Sequence, residues 1–199
     1  DQNYRLSSNF YKSDEVLQHY LHTRLSVRSL AVFSTSLSQL GQKAAAELNE
    51  YSKLADKFGP QLKKRNFYGE NLDEIVFHPA YAKMLDIAVA SQMLRLKWEP
   101  DLRNRYHGER HKMGFAAGFL FSMSESGLYC PLCMTDGVAL LIEKYCNEAD
   151  KQRLLPRIYT DVVTELYTGA MFLTEKSGGS DVGANLVTAT HFKEDLWYL

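Results

Sequence analysis

A polar turn near the C-terminal end of the chain carries the residue types best suited to chemistry. An apolar run at residues 170–173 passes through Thr174 into the turn at residues 177–181, which holds two serines, two glycines and an aspartate. Such a turn points several backbone N–H groups at one place, which makes an anion-binding nest. Glycines let a phosphate approach the backbone closely. With backbone groups of the apolar run facing a flat heterocycle, the segment predicts a site for a ligand that has a ring and a phosphate.

Spacing alone leaves a simpler alternative open. An apolar run followed by Ser-Gly-Gly-Ser-Asp at residues 177–181 is also how an ordinary hairpin reverses direction. The segment lacks the Gly-x-Gly-x-x-Gly of a dinucleotide fingerprint and the Gly-Lys-Ser/Thr of a phosphate-binding P-loop. Composition and spacing are therefore compatible with either a ligand site or a turn that binds nothing.

Three stretches of the chain resemble one flavoprotein family. Thr174-Glu175 followed by Gly-Ser-Asp-Val at residues 179–182 is similar to the Thr-Glu-x-x-x-Gly-Ser-Asp signature of the acyl-CoA dehydrogenases. Residues 126–135 and 65–81 resemble the branch of that family named for the bacterial adaptive response to DNA alkylation. Lys176, where the common fatty-acyl enzymes often have Pro, favours the same branch. The resemblance covers most of residues 58–190.

The resemblance implies a mainly α fold with an incomplete β part. Members of the family have an α-helical N-terminal domain, a middle β domain and a C-terminal helical bundle. Residues 1–168 are then expected to form the helical domain, and residues 169–199 the truncated start of the middle β domain. An isolated hairpin is marginal in water, so either the hairpin lies on the helices or further strands belong to the sheet.

The resemblance also implies the cofactor FAD and an acyl-CoA thioester substrate, which the enzyme would dehydrogenate between the α and β carbons. Met171, Leu173 and Thr174 would contact the polar edge of the isoalloxazine ring. Gly178, Gly179 and Ser180 would approach the pyrophosphate. The same Ser180 would touch the acyl-CoA.

No residue of this chain is assigned the catalytic base. The family's glutamate is expected from sequence after residue 199, and the Trp-containing flavin strand is likewise expected beyond the chain, since Trp197 follows the turn too closely. Glu143 and Glu175 are interpreted as solvated or structural groups. A further hypothesis is that this segment is a non-catalytic helical interaction module.

A stress-response protein associated with DNA is another hypothesis, because members of this branch have been linked to DNA. Two short basic clusters, at residues 63–65 and 103–112, are the residues that could contact DNA. A solvated face or a subunit contact is the preferred interpretation of both. The net charge of −1 provides no global attraction to nucleic acid or to an anionic membrane.

Composition predicts a packed protein without a membrane span. Hydrophobic residues make up 45% of the 199 residues, and no apolar run reaches the roughly 18 residues of a spanning helix. Three cysteines and no clear leader favour a cytoplasmic location, with the mitochondrial matrix as the alternative. Cys130 and Cys133 are predicted to be buried packing groups rather than metal ligands or a redox pair. A homo-oligomer, dimer or tetramer, is expected from the family.

Hydrophobic spacing predicts helices for most of the chain. Gly41 is expected to end one helix and Pro131 to begin another, and an extended loop is expected between two of the helices. The predicted helices are residues 14–23, 26–40, 42–58, 79–92, 108–124, 131–145 and 148–159, with the loop at 61–77 and strands near 169, 185–191 and 196–199.

Overall fold

The computed structural model describes residues 9–194 and 196–198. The fold is mainly helical with two small antiparallel sheets, which confirms the predicted class. Two compact units divide the chain, one ending at Gly169 and the other beginning at Ala170. In the described part, no helix combines the length and the apolar character that crossing a bilayer requires. Residues 1–8 of the predicted helical domain, Leu199 of the last predicted strand and Asp195 just before that strand lie outside the described residues.

The first unit opens with helices whose starts are capped by side chains. Helix α1 spans Phe10–Ser13, α2 spans Glu15–Arg24 and α3 spans Val27–Lys43. Asn9, Asp14 and Ser26 cap them by accepting backbone N–H groups of the first turn.

Gly41 does not end its helix, contrary to the prediction. Helix α3 continues through a π-helical turn, Ala44–Leu48, into α4, Asn49–Lys57. A Cβ at Gly41 would stand 2.5 Å from the backbone nitrogen of Tyr11. The glycine therefore serves close packing of α1 on α3, a tertiary role that local spacing does not reveal. Helix α4 ends before Gly59-Pro60, as predicted.

The segment predicted as an extended loop is a β-hairpin. Strand β1, Gln61–Arg65, pairs antiparallel with β2, Asn71–Val76. The turn contains Gly69 at a φ of +83° and Asn66, whose side chain accepts from the N–H groups of Tyr68 and Glu70. Both strands are mostly exposed, so neither shows the alternation of apolar and polar residues that signals a half-buried strand.

The second half of the first unit contains six helices. Their bounds are α5 Pro79–Ala90, α6 Arg95–Trp98, α7 Pro100–Arg105, α8 Arg110–Ser122, α9 Ser126–Tyr145 and α10 Glu148–Ile158. Pro79 and Pro100 stand in first turns, where a missing N–H costs nothing. The prediction of such a position for Pro131 is wrong, because Glu125 caps α9 earlier and the proline lies inside the helix.

The core of this unit lies where α3, α5, α8 and α9 meet. Its fully enclosed side chains include Leu37, Met84, Leu120 and Phe121. Helix α8 is buried on most of its surface, as its nearly continuous apolar sequence predicts. The core also encloses one ion pair, formed by Lys97 and Asp136.

The second unit contains little regular structure. A 3₁₀ turn spans Val182–Ala184, and strand β3, Thr190–Lys193, pairs antiparallel with β4, Leu196–Tyr198. No strand begins near Gly169 in the described chain, although the apolar run predicts one. Residues 169–175 are without regular structure and pair with no strand among the described residues. An apolar run becomes a strand only where another strand accepts its hydrogen bonds.

Candidate functional site

The Thr174 loop, residues 174–181, is closed at its base by two backbone hydrogen bonds. The N–H of Glu175 donates to the carbonyl of Gly178 at 2.8 Å, and the N–H of Gly178 donates back to the carbonyl of Glu175 at 3.3 Å. This reciprocal pair forms a tight turn over residues 175–178. Residues 179–181 then lead into the 3₁₀ turn that starts at Val182.

The carboxylate of Glu175 ties this turn to the chain that follows. Its two oxygens accept the N–H groups of Leu186, at 2.7 Å, and Val187, at 2.9 Å. A charged acceptor makes a stronger hydrogen bond than a neutral one. Glu175 therefore fixes the shape of the loop, in agreement with its interpretation as a structural group.

Gly178 is buried beneath the loop by Asn185. A Cβ at Gly178 would overlap the Asn185 side-chain oxygen and would stand 2.7 Å from the carbonyl oxygen of Asp181. The Asn185 amide donates to the carbonyl of Leu173 at 2.6 Å. Its own oxygen is buried and accepts no hydrogen bond within the described residues. Asn185 is not among the predicted site residues, because no local signal distinguishes it from the other residues of the predicted strand at 185–191.

Gly179 and Ser180 form the open side of the loop. Both are exposed, and the nearest atom to a Cβ built on Gly179 is the methyl carbon of Thr174, at 3.7 Å. Within the described residues, the backbone N–H groups of Gly179 and Ser180 donate to no protein acceptor. These two N–H groups and the Ser180 hydroxyl are the donors that the predicted anion-binding nest would use, and the nest stays a prediction.

The apolar run before the loop presents its side chains outward. Met171 is 65% exposed, Phe172 97% and Leu173 48%. The loop brings Thr174 beside Gly179, and Met171 has no atom within 4 Å of a Cβ built there. The carbonyl of Leu173 accepts from Asn185, and the N–H of Leu173 makes no hydrogen bond with the described residues.

These features fit the flavin nucleotide that the resemblance implies. Free N–H groups and the Ser180 hydroxyl suit a pyrophosphate, and exposed apolar residues next to a polar backbone suit a flat heterocycle. The buried, unpaired oxygen of Asn185 lies under the same turn. The positions assigned to Met171, Leu173, Thr174, Gly178, Gly179 and Ser180 remain predictions.

The two cysteines of α9 differ from their predicted burial. Cys130 is exposed and Cys133 is half-buried, because the face of the helix turned toward the core carries Leu128, Leu132 and Thr135 instead. Burial raises the pKa of Tyr129, and its hydrogen bond with Cys133 adds to the rise. Across residues 9–194 and 196–198, no cluster of His, Cys, Asp or Glu has the makings of a metal site.

Glu143 has a structural partner. It forms an ion pair with Arg103, which joins α9 to α7. This pairing gives Glu143 a structural role, which is one of the two roles predicted for it.

A helical domain followed by a Thr-Glu and Gly-Ser-Asp loop defines the acyl-CoA dehydrogenase class of protein. Comparison with known proteins gives the particular branch: residues 3–162 match the model of the adaptive response protein AidB N-terminal domain, and the chain belongs to that family. The matched residues lie before the Thr174 loop, so the loop's resemblance is an independent observation.

Two similar curated proteins are named as acyl-CoA dehydrogenases. The chain is 29% identical over 202 residues to "Putative acyl-CoA dehydrogenase AidB" of Escherichia coli strain K12, covering 97% of this chain and 36% of that protein. It is 26% identical over 196 residues to acyl-CoA dehydrogenase family member 11 of Caenorhabditis elegans, covering 96% and 31%. The chain therefore spans about a third of the length of these relatives.

Two solved structures share the fold. The structure described as the apo-form of Bd2924 superposes with a TM-score of 0.85 at 26% identity, covering 95% of this chain and 37% of the other. The ACDH-11 protein of Caenorhabditis elegans, solved in complex with C11-CoA, gives a TM-score of 0.81 at 24% identity over 95% and 32%.

Proposed function

We propose that this chain is the N-terminal part of an FAD-dependent oxidoreductase that dehydrogenates an acyl-CoA thioester between its α and β carbons. The observation that carries the proposal is the structure of the Thr174 loop. The Glu175 carboxylate holds the loop through two hydrogen bonds, and the N–H groups of Gly179 and Ser180 stay free. Membership of the family and the names of both curated relatives support the same activity.

FAD bound at this loop would supply the acceptor for the hydride that leaves the β carbon. The chain's own residues hold and orient that group. The N–H of Leu173, the backbone of Met171 and the hydroxyl of Thr174 provide hydrogen bonds to the polar edge of the ring. Such bonds stabilise negative charge on the reduced flavin, and each one lost at a buried site costs about 1–3 kcal/mol.

Gly179 and Ser180 would hold the pyrophosphate of FAD through their N–H groups. Gly178 contributes differently: it is buried, and its missing side chain leaves the space that Asn185 occupies. Ser180 is also the residue assigned to the acyl-CoA. The residue that removes the α proton is expected outside this segment, so the described residues provide binding rather than proton transfer.

The first test compares two substitutions in the complete gene product, Thr174→Val and Ser180→Ala. Each removes one hydroxyl while keeping the loop's backbone, so each should lower the FAD retained on purification or shift the flavin absorption bands. Ser177→Ala is the matched control, because Ser177 is an exposed hydroxyl of the same turn with no assigned contact. Flavin content and spectrum identical to the unsubstituted protein in both variants would contradict the site.

The activity is tested separately by bleaching of the bound flavin. Addition of acyl-CoA in the absence of oxygen should reduce the yellow cofactor and remove its visible absorption. A protein that purifies colourless and does not take up added FAD would contradict the proposed function as a whole.

No observation favours the DNA-binding alternative. On the hairpin, Lys63 stands directly opposite Glu74 in register, and Arg65 donates to the carbonyl of Gly69. Glu74 therefore places an acidic residue opposite Lys63, and Arg65 is engaged within the hairpin turn. A steep fall of DNA affinity with added salt would be the result that supports the alternative.

We further infer that residues 169–199 begin the middle β domain and that the protein works as a homo-oligomer in the cytoplasm. The pairing of β3 with β4 and the exposed apolar run at residues 171–173 support the first inference. The three free cysteines agree with a reducing compartment. Gel filtration with light scattering would measure the subunit number.

A further inference from the structure

A cavity of about 490 Å³ opens in the first unit, between the end of α4, the start of α5 and the start of α9. All its lining residues lie between Ser52 and Leu128, so it is formed without the residues assigned to the flavin. A volume of this size is in the range of small-molecule sites, which run from about 300 to 1,000 Å³.

A buried carboxylate lines the cavity. Glu125 is 8% exposed, and its Oε1 accepts the N–H of Leu128 at 2.7 Å, which caps α9. Gly127 leaves room for that carboxylate, since a Cβ there would stand 2.8 Å from Oε1. The described residues give Oε2 no donor. This second oxygen faces the cavity and is available to a donor that enters it, and a charged donor makes the stronger hydrogen bond.

Aromatic rings form the opposite part of the lining. Phe58 stacks on His78 with ring centroids 5.3 Å apart, and Phe77 stacks on Tyr81 at 4.5 Å. The Nδ1 of His78 accepts the N–H of Ala80 at 3.1 Å, which fixes the orientation of the ring. A cation already lies over one of these rings, because the Lys57 ammonium is 5.4 Å from the centroid of Phe58.

The remaining charges of the lining favour a positive ligand. Asp56 adds a second carboxylate, and the ammonium of Lys53 is held by Glu50 at 2.8 Å. Burial, with the nearby carboxylate of Glu125, raises the pKa of Tyr81, so this phenol keeps its proton and adds no charge of its own. The lining therefore combines a buried anion with the faces of aromatic rings.

We propose that this cavity binds a small organic molecule through an ammonium group, which pairs with Glu125 and lies against the aromatic rings. Carboxylate and ring faces attract the same ligand charge, and the attraction to a ring grows when the site excludes water. An anionic ligand would meet the repulsion of Glu125 and Asp56.

The test measures binding of a positively charged probe, and of an uncharged analogue with the same shape, to the complete gene product. Choline carries a quaternary ammonium, and 3,3-dimethylbutan-1-ol has the same shape with carbon in place of nitrogen. Binding is measured by calorimetry and by saturation-transfer NMR. We expect choline to bind at least about tenfold more tightly than the alcohol.

Two glutamates that cap helices give a matched pair of variants. Glu125→Gln keeps an oxygen to accept the N–H of Leu128, so α9 stays capped while the charge is lost. Glu99→Gln makes the same change at the cap of α7, where Glu99 accepts from Asp101 and Leu102 outside the cavity. Choline affinity should fall about tenfold or more in the first variant, as expected for a charged hydrogen bond, and should stay unchanged in the second.

Three outcomes would overturn the proposal. These are equal binding of choline and the alcohol, unchanged choline affinity in a folded Glu125→Gln variant, and an equal loss in both glutamine variants. Circular dichroism checks that each variant is folded. Flavin content is measured alongside, because the proposal stands or falls independently of FAD binding at the Thr174 loop.

Discussion

Some residues of the Thr174 loop fix its shape, and others are free to contact a ligand. Glu175 of the signature and Gly178 at one of its variable positions fix the turn, whereas Gly179 and Ser180 are exposed and have free N–H groups. A signature in sequence does not separate these two kinds of residue. The separation becomes visible only through the hydrogen bonds of the Glu175 carboxylate.

Replacement of Glu175 by glutamine should loosen the loop. Glutamine keeps one oxygen acceptor, but its NH₂ group faces the second N–H and accepts nothing from it. One of the bonds to Leu186 and Val187 is therefore lost, worth about 1–2 kcal/mol. Amide hydrogen exchange at residues 186 and 187 should quicken by about 5- to 30-fold, since local opening sets these rates.

Lys176→Ala is the control for that measurement, because the Lys176 side chain is exposed and next in sequence. It should leave the exchange at residues 186 and 187 unchanged. Unaltered exchange in the Glu175→Gln variant would show that the carboxylate does not hold the loop.

Helices and strands show which elements local sequence specifies. Helix α5 and helix α10 begin and end close to the predicted residues, because capping groups and apolar spacing act within a few turns. The hairpin escapes prediction because its strands are exposed on both faces and lack an alternating pattern. The boundary predicted at Gly41 is wrong because this glycine packs against Tyr11, which is distant in sequence, and the one predicted at Pro131 is wrong because Glu125 caps α9 earlier.

Two helical glycines should respond in opposite ways to alanine. In an exposed helix position, Gly→Ala stabilises by about 0.5–1 kcal/mol. A Cβ added at Gly137 in α9 would meet no atom within 4 Å, so Gly137→Ala should raise the free energy of unfolding by that amount. Gly41→Ala should instead lower it by about 1–3 kcal/mol, because the new methyl group collides with the backbone of Tyr11.

Urea denaturation followed by circular dichroism would measure both changes under the same conditions. The pair controls for helix propensity, which is the same in the two substitutions. Stabilisation by alanine at both positions would contradict the close packing of α1 against Gly41.

At the scale of the whole molecule, the sequence predicts the class of fold, but it does not predict the tertiary contacts that hold the helices together. The apolar stripes of α3, α8 and α9 specify helices and their buried faces. They do not specify which charged residue is enclosed. Lys97 lies between the predicted helices at 79–92 and 108–124, where the sequence predicts no element, yet it is 3% exposed in the structure. The Thr174 loop is recognisable from its residues, whereas Asn185, Glu125 and the cavity require the tertiary structure.

The enclosed charge belongs to an ion pair that connects α6 to α9. The Lys97 ammonium lies 2.7 Å from Oδ2 of Asp136, and the two side chains are 4% and 15% exposed. Trp98 donates to Oδ1 of the same aspartate at 2.6 Å. The Lys97 ammonium also lies 4.0 Å from the ring centroid of Phe115 on α8. Three helices of the first unit therefore depend on one desolvated pair.

Removal of one charge should cost more than removal of both. Asp136→Asn keeps the acceptor for Trp98 but leaves Lys97 buried without a counter-charge, so the free energy of unfolding should fall by about 3–5 kcal/mol. The double variant with Lys97→Met removes the stranded charge and should recover most of that loss. Asp86→Asn is the control, because the Lys83–Asp86 pair is exposed and such pairs contribute at most about 1 kcal/mol. Denaturant titrations of the four proteins would decide: a double variant no more stable than Asp136→Asn would show that the buried charge of Lys97 is not what destabilises the single variant.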